Sequence, residues 1–115
     1  MTEPVKLLLI FVNESDTWNN TPLYHAVVDR LRHLKMVGAT AHAGILGFGH
    51  HTRMHSKRLF GIADDHPITI TVVDGEARIR AVLPELRTMV REGLILLLDA
   101  ELVADQSPGP VTSDR

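Results

Sequence analysis

The side chains of this sequence best equipped for chemistry are concentrated between Gly44 and Phe60, in the stretch GILGFGHHTRMHSKRLF. Its seventeen residues hold three glycines, three histidines and three permanent cations, with no acid among them. Gly44, Gly47 and Gly49 let a backbone come close to a ligand and present N–H groups to it. Arg53, Lys57 and Arg58 are the residue types that grip phosphate oxygens. No Gly-Lys-Ser/Thr follows, so the pattern is not a P-loop, and a solvated basic tip that binds nothing is the plain alternative. The histidines open a metal reading: His51 and His55 would share one face of a helical turn, with His50 adjacent. Against it, the chain has no cysteine, and the nearest acids, Asp64 and Asp65, lie at the far end of the segment.

Charge is distributed unevenly. From Arg30 to Ala63 there are six Lys or Arg and no Asp or Glu, a local positive field on a protein of net charge −2. That overall charge, with only five aromatic residues, argues against nucleic-acid binding. Ser15 and Ser56 have no base and acid arrayed around them, and Asp99 and Glu101 alternate with apolar positions as on the polar face of a strand. No enzymatic activity is expected.

The elements that must carry this segment follow from periodicity. VKLLLIFVN, Val5 to Asn13, is a continuous apolar run suited to a central strand. Thr21-Pro22 reads as an N-cap with proline at the first helical position. Leu23, Val27, Leu31, Leu34 and Val37 then recur at helical spacing up to Gly38. Thr40 to Phe48 is a second strand weakened by glycines, and Pro67 to Asp74 an alternating third. Asp74 is expected to cap a second helix with the stripe Ile79, Val82, Leu83, Leu86, Met89 and Val90, a Glu76–Arg80 pair, and Pro84 tolerated on its exposed side. Gly93 ends that helix, and Leu94 to Val103 is a fourth strand.

The order β-α-β-β-α-β predicts an α+β fold: a ferredoxin-like four-stranded antiparallel sheet with both helices on one face. The expected domain spans residues 1–104, with a long connection at 49–66 between the second and third strands and a flexible tail at 105–115. A connection of that length is usually functional. Strands one and four are apolar on both faces, so the face without helices predicts self-association. The apolar run near the N-terminus is too short to span a bilayer and lacks signal-peptide features, so a cytoplasmic protein is expected.

Val5 to Val103 resembles the PII-like proteins catalogued as domain of unknown function 190. The resemblance is carried by Glu14-Ser15-Asp16, Pro22-Leu23-Tyr24, Gly38-Ala39-Thr40, Gly44-Ile45 with Gly47-Phe48-Gly49, Arg53 and His55, Leu83-Pro84, and Glu92-Gly93-Leu94. It implies a ferredoxin-like subunit in a homotrimer joined through its sheets. The 49–66 segment is then the counterpart of the PII T-loop. Small anionic effectors, mostly adenine nucleotides, would bind in clefts between subunits at the base of that loop. Occupancy would be relayed to a partner protein, often a membrane transporter, with no cofactor required. The implied ligand-binding residues are Gly44, Gly47, Phe48, Gly49, Arg53, His55, Lys57, Arg58, Asp16 and Trp18. Two departures stand out. Ala43 occupies a position often basic in the family, and Arg91-Glu92-Gly93 is too short to wrap a triphosphate, which favours a smaller ligand. Trp18 either stacks on a base or packs in the fold. The alternative is a metal-responsive trimer gathering a divalent ion through His50, His51 and His55, resembling the small trimeric metal-tolerance proteins of the same fold.

Overall fold

The computed structural model describes residues 4–47 and 65–105. Val5–Asn13 forms the first strand, β1. Successive side chains of a strand point to opposite faces. Leu8, Ile10 and Val12 are accordingly buried, while Leu7, Leu9 and Phe11 opposite them are half-buried.

A small hairpin follows, in which β2 (Thr17–Trp18) pairs with β3 (Thr21–Pro22). Its two turn residues, Asn19 (φ 50°) and Asn20 (φ 65°), are both left-handed, as a tight two-residue hairpin requires and asparagine tolerates. Here the expected cap is corrected. Thr21 is spent on pairing with Trp18, and Pro22 stands at the N-cap with no side-chain cap bond.

The first helix, α1 (Leu23–His33), buries Leu23, Val27 and Leu31. It stops earlier than the apolar spacing suggested. Lys35 turns left-handed (φ 67°); its N–H donates to the Arg32 carbonyl at 3.0 Å, and that of Met36 to Leu31 at 3.1 Å. These paired bonds are a Schellman stop with lysine in the place glycine usually takes. Val37, expected on the helix, is instead 74% exposed.

β4 (Ala39–Ala43) is shorter than the expected Thr40–Phe48, and Phe48 lies outside the described residues. β5 (Pro67–Gly75) leads directly into α2 (Glu76–Met89), which buries Ile79, Val82, Leu86 and Met89. Pro84 does lie inside this helix on its exposed side, and Arg80 pairs with Glu76 at 2.7 Å. The helix ends before Gly93, and β6 (Leu94–Ala100) ends before Val103.

Asp74 is not the cap of α2; Gly75 is, without a side-chain bond. Asp74 is buried instead, and its carboxylate accepts N–H groups from Gly75 (2.7 Å), Val37 (2.9 Å) and Arg78 Nε (3.0 Å). The Arg78 guanidinium also donates to the Lys35 carbonyl. One carboxylate thereby ties the end of β5, the α1–β4 connection and the first turn of α2 together.

The result is α+β: two helices and one four-stranded antiparallel sheet in the order β4-β5-β1-β6. Register places Leu8 beside Val72, Ile10 beside Ile70 and Val12 beside Ile68, and α1 and α2 cover that face. On the other face Leu7, Leu9 and Phe11 adjoin Leu98, Leu96 and Leu94, which are 42%, 44% and 53% exposed.

Two outcomes are expected. Asp74→Ala leaves the buried Gly75 N–H, the part-buried Val37 N–H and a guanidinium without their acceptor and costs about 2–4 kcal/mol in urea unfolding. Asp74→Asn, which keeps one acceptor oxygen, costs less. A loss under about 0.5 kcal/mol for the alanine variant would remove the latch from the account of stability. The hydrogen bond from Lys6, and then its charge, hold the Asp99 carboxyl below its usual range. A lowered carboxyl pKa contributes stability that is complete above the ordinary value and disappears as pH falls through the folded one. Lys6→Met should therefore lose less of its urea midpoint between about pH 7 and about pH 2 than the parent does. Equal losses would mean that this exposed pair contributes nothing.

Candidate functional site

The connection that holds the glycine-histidine-arginine stretch leaves and rejoins the fold at one end of the sheet. There Asn13 pairs with Pro67, Ala43 with Ile68 and Phe11 with Leu94. The β1–β2 turn, the chain after β4, the chain before β5 and the α2–β6 connection therefore meet at this end.

The Asn13–Asp16 turn is built by its own acid. Asp16 Oδ2 accepts the Asn13 N–H at 2.9 Å, Asp16 N–H returns to the Asn13 carbonyl at 3.1 Å, and the Asp16 carbonyl accepts Leu23 N–H at 2.7 Å. This aspartate thus sets the approach to α1. The two residues before it reach across fifty positions. Ser15 donates its N–H (2.8 Å) and hydroxyl (2.7 Å) to the two oxygens of Asp65. Glu14 donates its N–H to the His66 carbonyl at 2.8 Å, and Glu14 Oε1 lies 2.8 Å from His66 Nδ1. Four residues that the sequence reading did not place in a site, Glu14, Ser15, Asp65 and His66, make the clamp at the chain's return. The available signal was the Glu14-Ser15-Asp16 motif itself, since nothing local identifies partners fifty residues away.

On the outgoing side, Gly44 donates its N–H to the Pro67 carbonyl at 2.7 Å. A Cβ on Gly44 would meet the Pro67 ring at 2.9 Å, and one on Gly47 at 3.3 Å. Close approach to Pro67 explains glycine at position 44 without any ligand, and makes a tight fit for any side chain at position 47. Between them Ile45 and Leu46 are 94% and 82% exposed. Gly93, in the short α2–β6 connection, is equally constrained: a Cβ there would stand 2.4 Å from the Phe11 carbonyl oxygen.

Trp18 is partly buried against the core and walls two grooves. One, of about 700 Å³, runs between the helices past His25, Arg30, His33 and Thr88. The other, of about 400 Å³, includes Asp16, Asn19, Arg91 and Glu92. Asp16 and Trp18 are therefore brought together, whereas Gly44 and Gly47 line neither groove. Along α1, a hydrogen bond from Arg32 holds the Asp29 carboxyl below its usual range, helped by the charges of Arg32, His33 and His25 and opposed by desolvation. Phe48, Gly49, Arg53, His55, Lys57 and Arg58, and His50 and His51 of the metal reading, lie outside the described residues. Among the described residues no group of three or more His, Asp or Glu side chains is placed to hold a metal ion.

Residues 5–102 match domain of unknown function 190, described as Uncharacterized ACR, COG1993. The chain belongs to this family. It is 30% identical over 98 residues to a UPF0166 protein of Aquifex aeolicus, which covers 85% of this chain and 92% of that protein. It is also 30% identical over 98 residues to a UPF0166 protein of Methanocaldococcus jannaschii, covering 84% and 90%. The family match spans the clamp, both glycines beside Pro67 and all four long strands.

The clamp makes a local prediction. Asp65→Ala removes both acceptors from Ser15, so hydrogen exchange at the Ser15 amide should quicken about fivefold, as expected for a bond worth about 1 kcal/mol. Amides in the middle of β1 should be unaffected. Unchanged exchange at Ser15 would mean that the bond does not hold in solution.

Proposed function

We propose that this chain is a PII-like signalling subunit with a ferredoxin-like fold, acting in the cytoplasm as a homotrimer. It binds a small anionic effector, an adenine nucleotide in the first instance, at the sheet end described above. Occupancy is relayed through residues 49–66 to a partner protein, a membrane transporter being one candidate. The observation that carries this reading is the anchoring of the basic segment at both of its ends. Gly44 is bonded to Pro67, and Asp65 and His66 are bonded to Ser15 and Glu14. A ligand that engages Arg53, Lys57 or Arg58 pulls on a segment whose outgoing end is tied to Pro67 and whose returning end is tied to Glu14 and Ser15, so binding energy is available to select among conformations of that segment. Assembly through the sheets is supported by the open apolar face of Leu7, Leu9, Phe11, Val73, Leu94, Leu96 and Leu98. Among the described residues no helix is long and apolar enough to cross a membrane.

Calorimetric titration of metal-stripped protein with AMP, ADP, ATP and cyclic AMP, with and without magnesium, tests the reading beside sedimentation analysis. Saturable binding at one site per subunit of a trimer is expected. Arg53→Ala should weaken it about tenfold or more while leaving assembly intact, since a charge-assisted bond to phosphate is lost. No binding of any of the four by a well-folded trimer would reject the nucleotide. Affinity unchanged by Arg53→Ala would reject that arginine's role.

A further inference from the structure

β6 is the last strand in the sheet order and pairs with β1 alone among the described strands, so its outer edge offers a row of unpaired backbone groups. Beside that edge, on the helix side, lies a groove of about 480 Å³ floored by Leu83, Ile95 and Leu97 and rimmed by Lys6, Arg80 and Arg87. Lys6 pairs with Asp99 and Arg80 with Glu76, but Arg87 has no ion-pair partner among the described residues. The groove thus combines an apolar floor with a basic rim and a free strand edge. Its complement is an extended segment alternating acidic and aliphatic side chains, which would add to the edge as a strand.

The chain carries such a segment. Residues 101–105, ELVAD, carry Glu101 and no cation, whereas Asp99 belongs to β6, where it pairs with Lys6. Residues 101–105 continue beyond β6 without joining any described strand, and Val103 is 88% exposed. In an extended chain Glu101 and Val103 project to the same side, about 7 Å apart. Arg80 and Arg87, seven residues apart on α2, stand about 10 Å apart along the helix, with Leu83 between them. Val103 set on the floor at Leu83 therefore leaves Glu101 within reach of a guanidinium in either strand direction. Residues 101–105 of the same chain do not line the groove, which leaves it open to those of another copy.

We propose that the groove between α2 and the free edge of β6 receives residues 101–105 of a second copy of this chain, with Val103 on the apolar floor and Glu101 against the arginine rim. The proposal rests on the self-association proposed above but concerns a different surface from the open sheet face. Each subunit gives one segment and receives one, a head-to-tail contact that a cyclic assembly closes.

Because the chain has no cysteine, engineered pairs report without background. Val103→Cys protein is mixed with Leu83→Cys protein and gently oxidised, with Arg87→Cys as a surface alternative should Leu83→Cys fold poorly. Arg32→Cys, on α1, is the control. A disulfide-linked heterodimer with the Leu83→Cys or Arg87→Cys protein, and none with the Arg32→Cys protein, is expected. Glu101→Arg should weaken assembly about tenfold, and adding Arg80→Glu/Arg87→Glu to the same chain, which reverses both sides of every contact, should restore it. A chain carrying both Val103→Cys and Leu83→Cys that closes only within itself would assign the groove to the chain's own tail and overturn the proposal. A multimer with no heterodimer cross-link overturns this contact alone. A monomer at all concentrations overturns both it and the proposed assembly.

Discussion

The strand Val5–Asn13 lies inside the sheet between β5 and β6, and its alternation governs much of the rest. A strand cannot bury one set of side chains without presenting the other set on the opposite face. Here both sets are aliphatic or aromatic. Leu8, Ile10 and Val12 are covered by the helices, and full burial of each such side chain stabilises by about 1.5–3 kcal/mol. Leu7, Leu9 and Phe11 face the side the helices do not cover, and register aligns them with Leu94, Leu96 and Leu98 of β6. The same geometry that makes the core therefore makes an apolar surface of comparable breadth. Inverting the alternation by a one-residue slip would only exchange the two sets.

A second constraint joins the layers. The helices begin without side-chain caps, and the junction between β5 and α2 is organised by the buried carboxylate of Asp74. Its three donors come from three different segments, so it sets the position of α2 relative to the α1–β4 connection as well as the start of the helix. Arg78 adds the Lys35 carbonyl at the left-handed stop of α1. Burying a carboxylate is costly unless its oxygens are occupied, and here two backbone N–H groups and a guanidinium occupy them. At the opposite end of the sheet, the Asn13–Asp16 turn uses the same device in a more exposed setting. Asp16 shapes the turn, while Glu14 and Ser15 hold the chain that returns from the long connection.

These bonds change how the motif residues are understood. Glycines and acids near a basic segment suggest ligand contact, yet Gly44 has a steric reason in Pro67, Gly93 has one in Phe11, and Asp16 has work in its own turn. The pattern that carries the resemblance is thus at least partly a pattern of folding. What it positions is the two ends of the chain that flank the basic segment, Gly44 against Pro67 and Asp65 against Ser15.

Much of the architecture was legible in the sequence because it rests on periodicity, which is local. Val5–Asn13 and the stripe from Ile79 to Val90 were found where expected, as was the Glu76–Arg80 pair. The element ends were less legible, because caps depend on contacts outside the element. Thr21 went to a hairpin with Trp18, and Lys35 stopped α1 where apolar spacing would have continued it. The candidate site was legible as composition: the glycines, the cations and the acid-free run are properties of the chain alone. Which of them touch was not, because Ser15 meets Asp65 and Val37 meets Asp74 only after the sheet has registered strands far apart in sequence. By itself the sequence determined the α+β pattern and the aliphatic faces of its central strand, since both follow from spacing along one chain. Only the tertiary structure decided that Asp74 is a buried latch and that Glu14 and Ser15 form a clamp, since hydrogen-bond partners are chosen by proximity in space.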